Sequence, residues 1–384
     1  MIGALISLAH IIYFKKFNFN QLAEPTKSLL IRTSLTLGSL LFAAFLASTL
    51  RGSYVASEFD APSRLLLAIP VLYFLFNQDR NPINYLSLTI PFGLFIALVD
   101  QLFLSQAKAW DPVRWSTHFV DPLAFGYINL ALGLTSLGFA LQKHINRSTR
   151  ILNLCTGILG MYLSLMSQSR TGWLAIPIIL LIILILNRKK LKFKYITSAA
   201  ILFITTTTLL FNYSLNFKNR VNDTLADLNA YTFSGVAPDN SVGMRITFLR
   251  IASDLISEKP FSGYGDTIKN KPEVPANVKN YSSAFIIDFS LSSGFHNEII
   301  TSGIHHGIAG SLSIILIFYV FLSFFLKNKH SMLEKKFNNF PGIFFITTLI
   351  ISSFSTEIFG LKYTTSFFAL TSVLLLAAAT HHEA

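Results

Sequence analysis

The sequence predicts an all-α membrane protein, a polytopic bundle of about 11 to 12 transmembrane helices with one large, partly helical loop. Of its 384 residues, 52% are hydrophobic and only 13% are charged. The mean hydropathy of +0.53 lies outside the usual range of a soluble globular chain. The apolar runs are continuous and lack the alternation of a transmembrane barrel, so we expect helices to satisfy the backbone within the bilayer.

Eleven apolar segments predict eleven crossings, because a bilayer core needs roughly 20 apolar residues per helix. The first segment is not a cleavable signal peptide, since its lysines, Lys15 and Lys16, follow the apolar stretch instead of preceding it. We expect it to stay, and the count to become twelve if a further helix precedes it. The longer segments are 28–49, 83–104, 121–141, 150–168, 194–212, 302–326, 341–358 and 362–379, and the shorter ones are 2–14, 63–77 and 172–187.

The distribution of lysine and arginine predicts the orientation, because these residues accumulate in short cytoplasmic loops. Assigning alternate loops to one side places 17 of the 31 basic residues there, against 6 in the opposite short loops. The long loop therefore faces away from the cytoplasm. The predicted division is an N-terminal transmembrane bundle (1–212), the large loop (213–296) and C-terminal transmembrane helices (297–384).

Charge, cysteine and motif content disfavour several function classes. The net charge of +12 resides mostly in the cytoplasmic loops, where anionic lipid and insertion bias explain it better than nucleic acid does. Cys155 is the single cysteine, so no disulfide can brace the loop. The sequence contains no dinucleotide or P-loop glycine pattern and no D-x-D or H-x-x-x-H pair. A soluble nucleotide-dependent activity is disfavoured.

Arg170 is the first candidate site residue, because ionisable groups at membrane depth are rare and mark functional sites by default. It is the only charged residue between Arg150 and Arg188 and lies in a hairpin of small polar residues, 167–172. A planar guanidinium donates two parallel hydrogen bonds to a phosphate, which favours an anion site. The alternative is an arginine that snorkels to the head groups.

The large loop is predicted to contain two short helices. Val221, Leu225 and Leu228 share one helical face, and apolar positions recur at helical spacing from Met244 until the helix stops before Pro260. We expect Arg245 to open the second helix. A cation in a first turn opposes the helix dipole by ~0.3–1 kcal/mol, which favours an anion docked on the free N–H groups. The alternative is an exposed surface arginine.

His296 lies where the loop re-enters the membrane. Histidine takes a proton near neutral pH, and Asn297 and Glu298 are close enough in sequence to orient or tune it. A purely structural histidine is the alternative. Glu357, near the outer end of the penultimate helix, could pair with His296 or an arginine, or form a simple surface pair with Lys362.

These motifs together resemble the bacterial O-antigen ligase family, which is related to the O-antigen polymerases. The resemblance runs from about Asp111 to Glu357, in matching order and spacing, and the loop is closer to the lipopolysaccharide ligase branch. The motifs are Ser167–Arg170, Asn219–Asn222, Asp227–Thr232, Gly243–Arg245, Lys259–Phe261 and His296–Ile300.

The resemblance implies a glycosyltransferase of lipopolysaccharide biosynthesis in the bacterial inner membrane, with its active site facing the periplasm. It would move an O-antigen glycan from undecaprenyl pyrophosphate to a sugar of the lipid A–core, without metal, nucleotide or other cofactor. Arg170 and Arg245 would bind the leaving pyrophosphate and stabilise its charge. His296 would activate the acceptor hydroxyl, and Asn297 or Glu357 would hold its imidazole. Attack opposite the pyrophosphate would invert the anomeric centre.

Two other activities stay open at this point. An O-antigen polymerase would use the same donor with a second lipid-linked glycan as its acceptor. A lipid-glycan transporter would line a path across the bilayer with charges. The candidate charges are instead predicted on one face, with only Asp100 and Asp121 as mid-depth exceptions. The transporter is therefore the less favoured of the two.

Overall fold

The computed structural model describes most of the chain, and every regular element in the described ranges is helical. The described residues form two compact units, one within 1–175, 259–266 and 296–384 and the other within 176–258 and 267–295. The predicted segments 2–14 and 194–212 lie almost wholly outside the described residues. Those are 24–77, 82–104, 114–142, 145–169, 172–187, 215–231, 235–267, 272–327 and 339–380, with single positions at 7, 205, 208 and 212.

The first unit is a helical bundle. Helices α1 to α6 and α11 to α13 belong to this unit, whereas all of α7 after its first residue belongs to the second unit. A π-helical turn, Asp100–Leu104, extends α4. The bounds are α1 Glu24–Arg51, α2 Ala56–Leu66, α3 Ala68–Phe76, α4 Ile83–Val99, α5 Pro122–Ala140, α6 Arg147–Met166, α7 Ala175–Asn187, α11 Glu298–Lys327, α12 Phe340–Ser353 and α13 Lys362–Thr380.

Helices α5, α12 and α13 form the core of this unit, and their side chains are mostly buried. Small residues let α5 and α6 approach closely, as is common between membrane helices. A Cβ added to Gly160 would lie 2.6 Å from the Asn129 carbonyl oxygen and 2.6 Å from the Gly133 Cα. The backbones of α5 and α6 are therefore in direct contact.

The described helices confirm the predicted fold class. Seven helical stretches among them are long and apolar enough to cross a membrane, with α2 and α3 counted together and α4 counted with its π-helical turn. Three more, Ala175–Ile185, Ala284–Ser293 and Phe340–Ser353, are apolar but shorter. Large apolar side chains on the peripheral helices stay exposed, among them Leu35 at 70% and Phe92 at 65%. Such a surface suits a lipid environment.

Helix α11 is broken within its apolar run. His306 and Gly307 have non-helical backbone angles, with Gly307 at φ 66° and ψ −168°. The Ser311 Oγ donates to the Ile299 carbonyl oxygen at 2.7 Å, whereas twelve residues of straight helix would separate these positions by about 18 Å. Residues 298–305, here called the half-helix, therefore fold back on the part that follows. The predicted segment 302–326 is helical, but it contains this break near its start.

The second unit contains three further helices, α8 Leu215–Ala230, α9 Ser241–Glu258 and α10 Ala284–Ser293, with a 3₁₀ turn at Ala276–Asn280. Two helices were expected in this part of the chain, and α10 is the additional one. Phe248 and Leu255 of α9 are buried, and Phe248 stacks on Phe289 of α10 with ring centroids 6.2 Å apart. On α8, Leu225 and Leu228 stay exposed.

Candidate functional site

His296 occupies a strained backbone position directly before the half-helix. Its φ of 50° is in the left-handed region, which residues other than glycine rarely adopt. Gln168, in the hairpin that the sequence singled out, is the only other non-glycine residue with positive φ among the described residues. Such strain persists only where surrounding contacts impose it, and it clusters at functional sites. His296 therefore lies at a constrained position of the backbone, and its side chain is half-buried.

Asn297 caps the half-helix, as a residue type preferred at that position. Its Oδ1 accepts from the Ile300 amide at 3.3 Å, and its backbone carbonyl accepts from the Thr301 amide at 2.9 Å. Its Nδ2 donates to the Phe354 carbonyl oxygen, just after α12, at 3.5 Å. Asn297 therefore fixes the start of the half-helix and joins it to the chain between α12 and α13.

Glu298 makes a second connection to the same chain segment. Its buried Oε2 accepts from the Ile358 and Phe359 amides at 2.5 and 2.8 Å. A buried polar group is costly unless hydrogen bonds satisfy it. Two backbone donors do so here. The peptide units that directly follow Glu357 are thereby tied to the half-helix.

Glu357 itself accepts from the Thr301 Oγ1 at 2.8 Å. Thr301 lies one turn beyond Glu298, so the same face of the half-helix holds both the Glu357 carboxylate and the backbone beside it. Lys362 pairs instead with Asp60 at 2.5 Å. The simple surface pair between Glu357 and Lys362 is not what the structure shows. Asn297, Glu298 and Glu357 thus belong to one hydrogen-bonded region of the first unit, and His296 directly precedes Asn297 in the chain.

The hairpin after α6 lies at the same end of the first unit as the start of α5. The Arg114 Nε donates to the Ser167 carbonyl oxygen at 3.0 Å, and a Cβ on Gly126 would overlap Ser167 and Ser169. Asp121 caps α5 and accepts from the Tyr363 hydroxyl at 3.0 Å. Asp121 is therefore at a helix end and not within a helix, whereas Asp100 lies where α4 continues into the π-helical turn. Arg170 lies outside the described residues.

Arg245 belongs to the second unit and is exposed on α9. The expectation that it opens this helix is wrong. The helix begins at Ser241, and the Asn240 Oδ1 accepts from the Gly243 amide at 2.7 Å, which makes Asn240 the cap. Arg245 is the fifth helical residue, and the helix dipole acts mainly within the first turn. The dipole argument for an anion therefore does not apply to it.

A polar cluster fixes α9 within its own unit. Arg250 stacks over the Tyr281 ring at 3.8 Å, and the Tyr281 hydroxyl donates to Asp254 at 2.7 Å. Burial, together with this hydrogen bond, raises the pKa of Tyr281, so the phenol stays protonated and keeps donating. The cluster holds the helix that presents Arg245.

No group of three or more His, Cys, Asp or Glu side chains able to hold a metal occurs in the part of the chain that the structure describes. The sequence reasoning missed Thr301 and the role of Glu298. Glu298 is a charge at the start of an apolar run, which is a signal that could have marked it. Nothing in the sequence near Thr301 points to its partner, 56 residues further along the chain.

Residues 155–315 match the O-antigen ligase family. The predicted resemblance to this family is confirmed. The chain is also 28% identical, over 321 residues, to an uncharacterized protein of Haemophilus influenzae. This alignment covers 80% of this chain and 76% of the relative. The chain is 24% identical, over 213 residues, to an O-antigen ligase of Escherichia coli K12, and this alignment covers 53% of this chain and 49% of that protein.

The match to the O-antigen ligase family covers much of the candidate site. Arg170, Arg245, His296 and Asn297 all lie within residues 155–315, as do all the described helices of the second unit. Glu357 lies beyond the matched segment, although Thr301, its hydrogen-bond donor, lies within it. The family segment and the C-terminal helices are therefore joined through the contacts of the half-helix.

Proposed function

We propose that this protein is an O-antigen ligase, a glycosyltransferase that moves an O-antigen glycan from undecaprenyl pyrophosphate to a sugar of the lipid A–core. It acts in the inner membrane with its site facing the periplasm. The observation that carries the proposal is the strained His296 at the start of the half-helix, fastened to the chain around Glu357, inside a segment that matches the O-antigen ligase family.

The chemistry follows from the residue types. His296 takes the proton from the acceptor hydroxyl, and the acceptor oxygen then bonds to the anomeric carbon. The bond from that carbon to the pyrophosphate oxygen breaks, and undecaprenyl pyrophosphate leaves. Arg170 and Arg245 bind the pyrophosphate and neutralise the charge that develops on it. Attack from the side opposite the leaving group inverts the anomeric configuration. A product with retained configuration would contradict this step.

Asn297 and Glu357 support the histidine. Asn297 fixes the chain directly after His296 through its capping bonds, and Glu357 is held by Thr301 on the same half-helix. A general base works only if it is held within reach of its proton, so these contacts favour a positioned histidine over a purely structural one. The reaction needs no nucleotide, because the pyrophosphate-linked donor is already activated.

A transfer assay tests the proposal. Purified protein is mixed with undecaprenyl pyrophosphate-linked glycan and lipid A–core, and the variants His296→Ala, Arg170→Ala and Arg245→Ala are compared with the parent. Arg147→Ala is the matched control, because Arg147 is an exposed arginine at the opposite end of α6 from the hairpin. We expect the parent and the control to extend the lipopolysaccharide. The three test variants should lose about a hundredfold or more in rate while remaining folded.

The same assay separates ligase from polymerase. A polymerase would join lipid-linked glycans to one another and leave the lipid A–core unmodified. If only that product forms, the ligase proposal is wrong and the polymerase replaces it. If neither product forms while the parent is folded, glycosyl transfer itself is wrong and the transporter returns as the candidate.

A further inference from the structure

The break in α11 is completed by a remote piece of the chain. Lys259–Asp266, here called the anchor segment, is the only described stretch between residues 176 and 295 that belongs to the first unit. Three backbone hydrogen bonds join it to the break, where a broken membrane helix leaves backbone groups that need partners. They run from the amides of Tyr264, Gly265 and Ile308 to the carbonyl oxygens of Ile304, His305 and Pro260, at 2.8, 3.0 and 2.8 Å respectively.

Glycines allow the two chain segments to approach this closely. Gly263 and Gly307 both have positive φ, at 56° and 66°, which L side chains rarely adopt. A Cβ on Gly263 would overlap the His305 carbonyl oxygen, and one on Gly307 would lie 2.5 Å from the Pro260 carbonyl oxygen. The backbones of the anchor segment and of the break are therefore in direct contact.

An ion pair from two other helices holds the anchor segment. Arg51 ends α1, Glu58 lies in the first turn of α2, and the two side chains are paired, with only 12% and 2% of their surfaces exposed. The Arg51 Nη1 donates to the Ser262 carbonyl oxygen at 2.9 Å, and the Glu58 Oε1 accepts from the Asp266 amide at 3.1 Å. Each partner of the pair thus binds the backbone of the anchor segment.

Charges in membrane-spanning segments are rare and usually have a function. Here the ion pair fixes the anchor segment, and the anchor segment binds the backbone at the break. The break ends the half-helix, which begins at Glu298 directly after His296 and Asn297. We infer that Arg51 and Glu58 are positioning residues for the transfer reaction, acting through the anchor segment on the half-helix that carries His296 at its start. This inference rests on the proposed function.

Disulfide cross-linking tests whether the anchor segment contacts α2, and this test does not require glycosyltransferase activity. The Ser57 Oγ donates to the Asp266 Oδ2 at 2.9 Å, so Ser57→Cys with Asp266→Cys, in a Cys155→Ser background, places two thiols at the contact. Oxidation should cross-link this engineered pair in the full-length protein in detergent or lipid. If the pair does not cross-link, the anchor segment is not docked on α2 and the inference is wrong.

Glu58→Gln is the test variant. In the background of the engineered pair we expect it to lower the cross-linking rate, and in the uncrosslinked protein to lower kcat by about tenfold while KM for the lipid-linked donor changes by less than about threefold. Glu58→Asp, which keeps the charge, should recover part of the rate. Oxidising the engineered pair in the Glu58→Gln protein should also restore transfer, because a covalent bond then does the anchoring. An unchanged kcat, or no rescue by the disulfide, would overturn the inference.

Gly265→Ala supplies a second variant, with Gly52→Ala as its matched control. Both glycines have nearly the same φ, 70° and 72°, but a Cβ on Gly265 would overlap the Glu58 carboxylate, whereas one on Gly52 meets nothing within 4 Å. We expect only Gly265→Ala to lower cross-linking and kcat. Equal effects of the two variants would mean that backbone strain alone is responsible, which would overturn the inference. If the parent cross-links normally but transfers no glycan, the proposed function fails while the docking of the anchor segment stands.

Discussion

At the scale of single residues, the candidate site depends on carboxylates that accept from the backbone or from a hydroxyl. Glu298 accepts from two amides and Glu357 accepts from Thr301. Both connections run from the half-helix to the chain between α12 and α13. Each can be removed by a substitution that keeps the size of the side chain, which makes their contributions separable.

Glu298→Met should destabilise the protein. Methionine is similar in size but offers no oxygen to the Ile358 and Phe359 amides, which both donate to the Glu298 Oε2, and a buried donor without an acceptor costs about 1–3 kcal/mol. We expect a lower thermal unfolding midpoint in detergent. Glu258→Met is the control, because Glu258 is exposed at the end of α9. Equal midpoints for the two variants would contradict a stabilising role for Glu298.

Thr301→Val should slow transfer with little effect on folding. Valine matches the shape of threonine but cannot donate to Glu357, and losing one hydrogen bond worth about 1.4 kcal/mol in the transition state lowers the rate about tenfold. Steady-state rates of glycan transfer measure this. Thr348→Val is the control, because Thr348 is buried in α12 and bonds to the Phe344 carbonyl oxygen of its own helix. If Thr301→Val transfers glycan at the parental rate, the hydrogen bond between Thr301 and Glu357 does not contribute to catalysis.

The sequence indicates candidate residues but not the groups that surround them. His296, Asn297 and Glu357 stood out because polar groups next to apolar runs are costly. The partner of Glu298, by contrast, is the backbone of residues 358 and 359, which no side-chain pattern reveals. The apolar spacing begins only at Met244, so it predicts a later start for α9 than the observed Ser241. Asn240, a preferred cap, was the better signal.

At the scale of helices, hydropathy predicted the segments well and their interruptions poorly. The nine predicted segments outside 2–14 and 194–212 all coincide with described helices. The break at His306–Gly307 lies in an apolar run and depends on Lys259–Asp266, about forty residues earlier in the chain. Local composition carries no information about such a distant backbone partner. The apolar helix α10 was missed because its run of ten residues is too short for a crossing.

The contact between α5 and α6 makes a testable contrast between two glycines. Gly160→Ala would place a Cβ 2.6 Å from backbone atoms of α5, which cannot rotate away, and such overpacking costs about 1–3 kcal/mol. Gly93→Ala on α4 meets nothing within 4 Å and should be neutral or gain up to about 1 kcal/mol in helix propensity. Thermal unfolding in detergent should therefore shift downward for Gly160→Ala only. A downward shift of the same size for both would contradict the close contact.

At the scale of the whole molecule, the apolar surface and the positions of the basic loops together predict one orientation of the protein in the membrane. The exposed apolar side chains of α1, α4 and α6 give the first unit a surface suited to lipid. The excess of lysine and arginine on one set of loops predicts that this set is cytoplasmic. His296 and Glu357 are then predicted at the opposite end, together with the large loop. A donor delivered to the periplasmic face of the membrane is accessible only in this orientation.

Cysteine labelling tests the orientation directly. Cys155 is exposed and is first replaced by serine. Ser253 on α9 and Ser148 near the start of α6 are both exposed serines, so Ser253→Cys and Ser148→Cys are matched probes on opposite predicted sides. A membrane-impermeant maleimide should label Ser253→Cys in intact spheroplasts and Ser148→Cys only after permeabilisation. The reverse pattern would place the large loop in the cytoplasm. The orientation predicted from lysine and arginine would then be wrong. A transfer reaction at His296 on the periplasmic side of the membrane would be impossible.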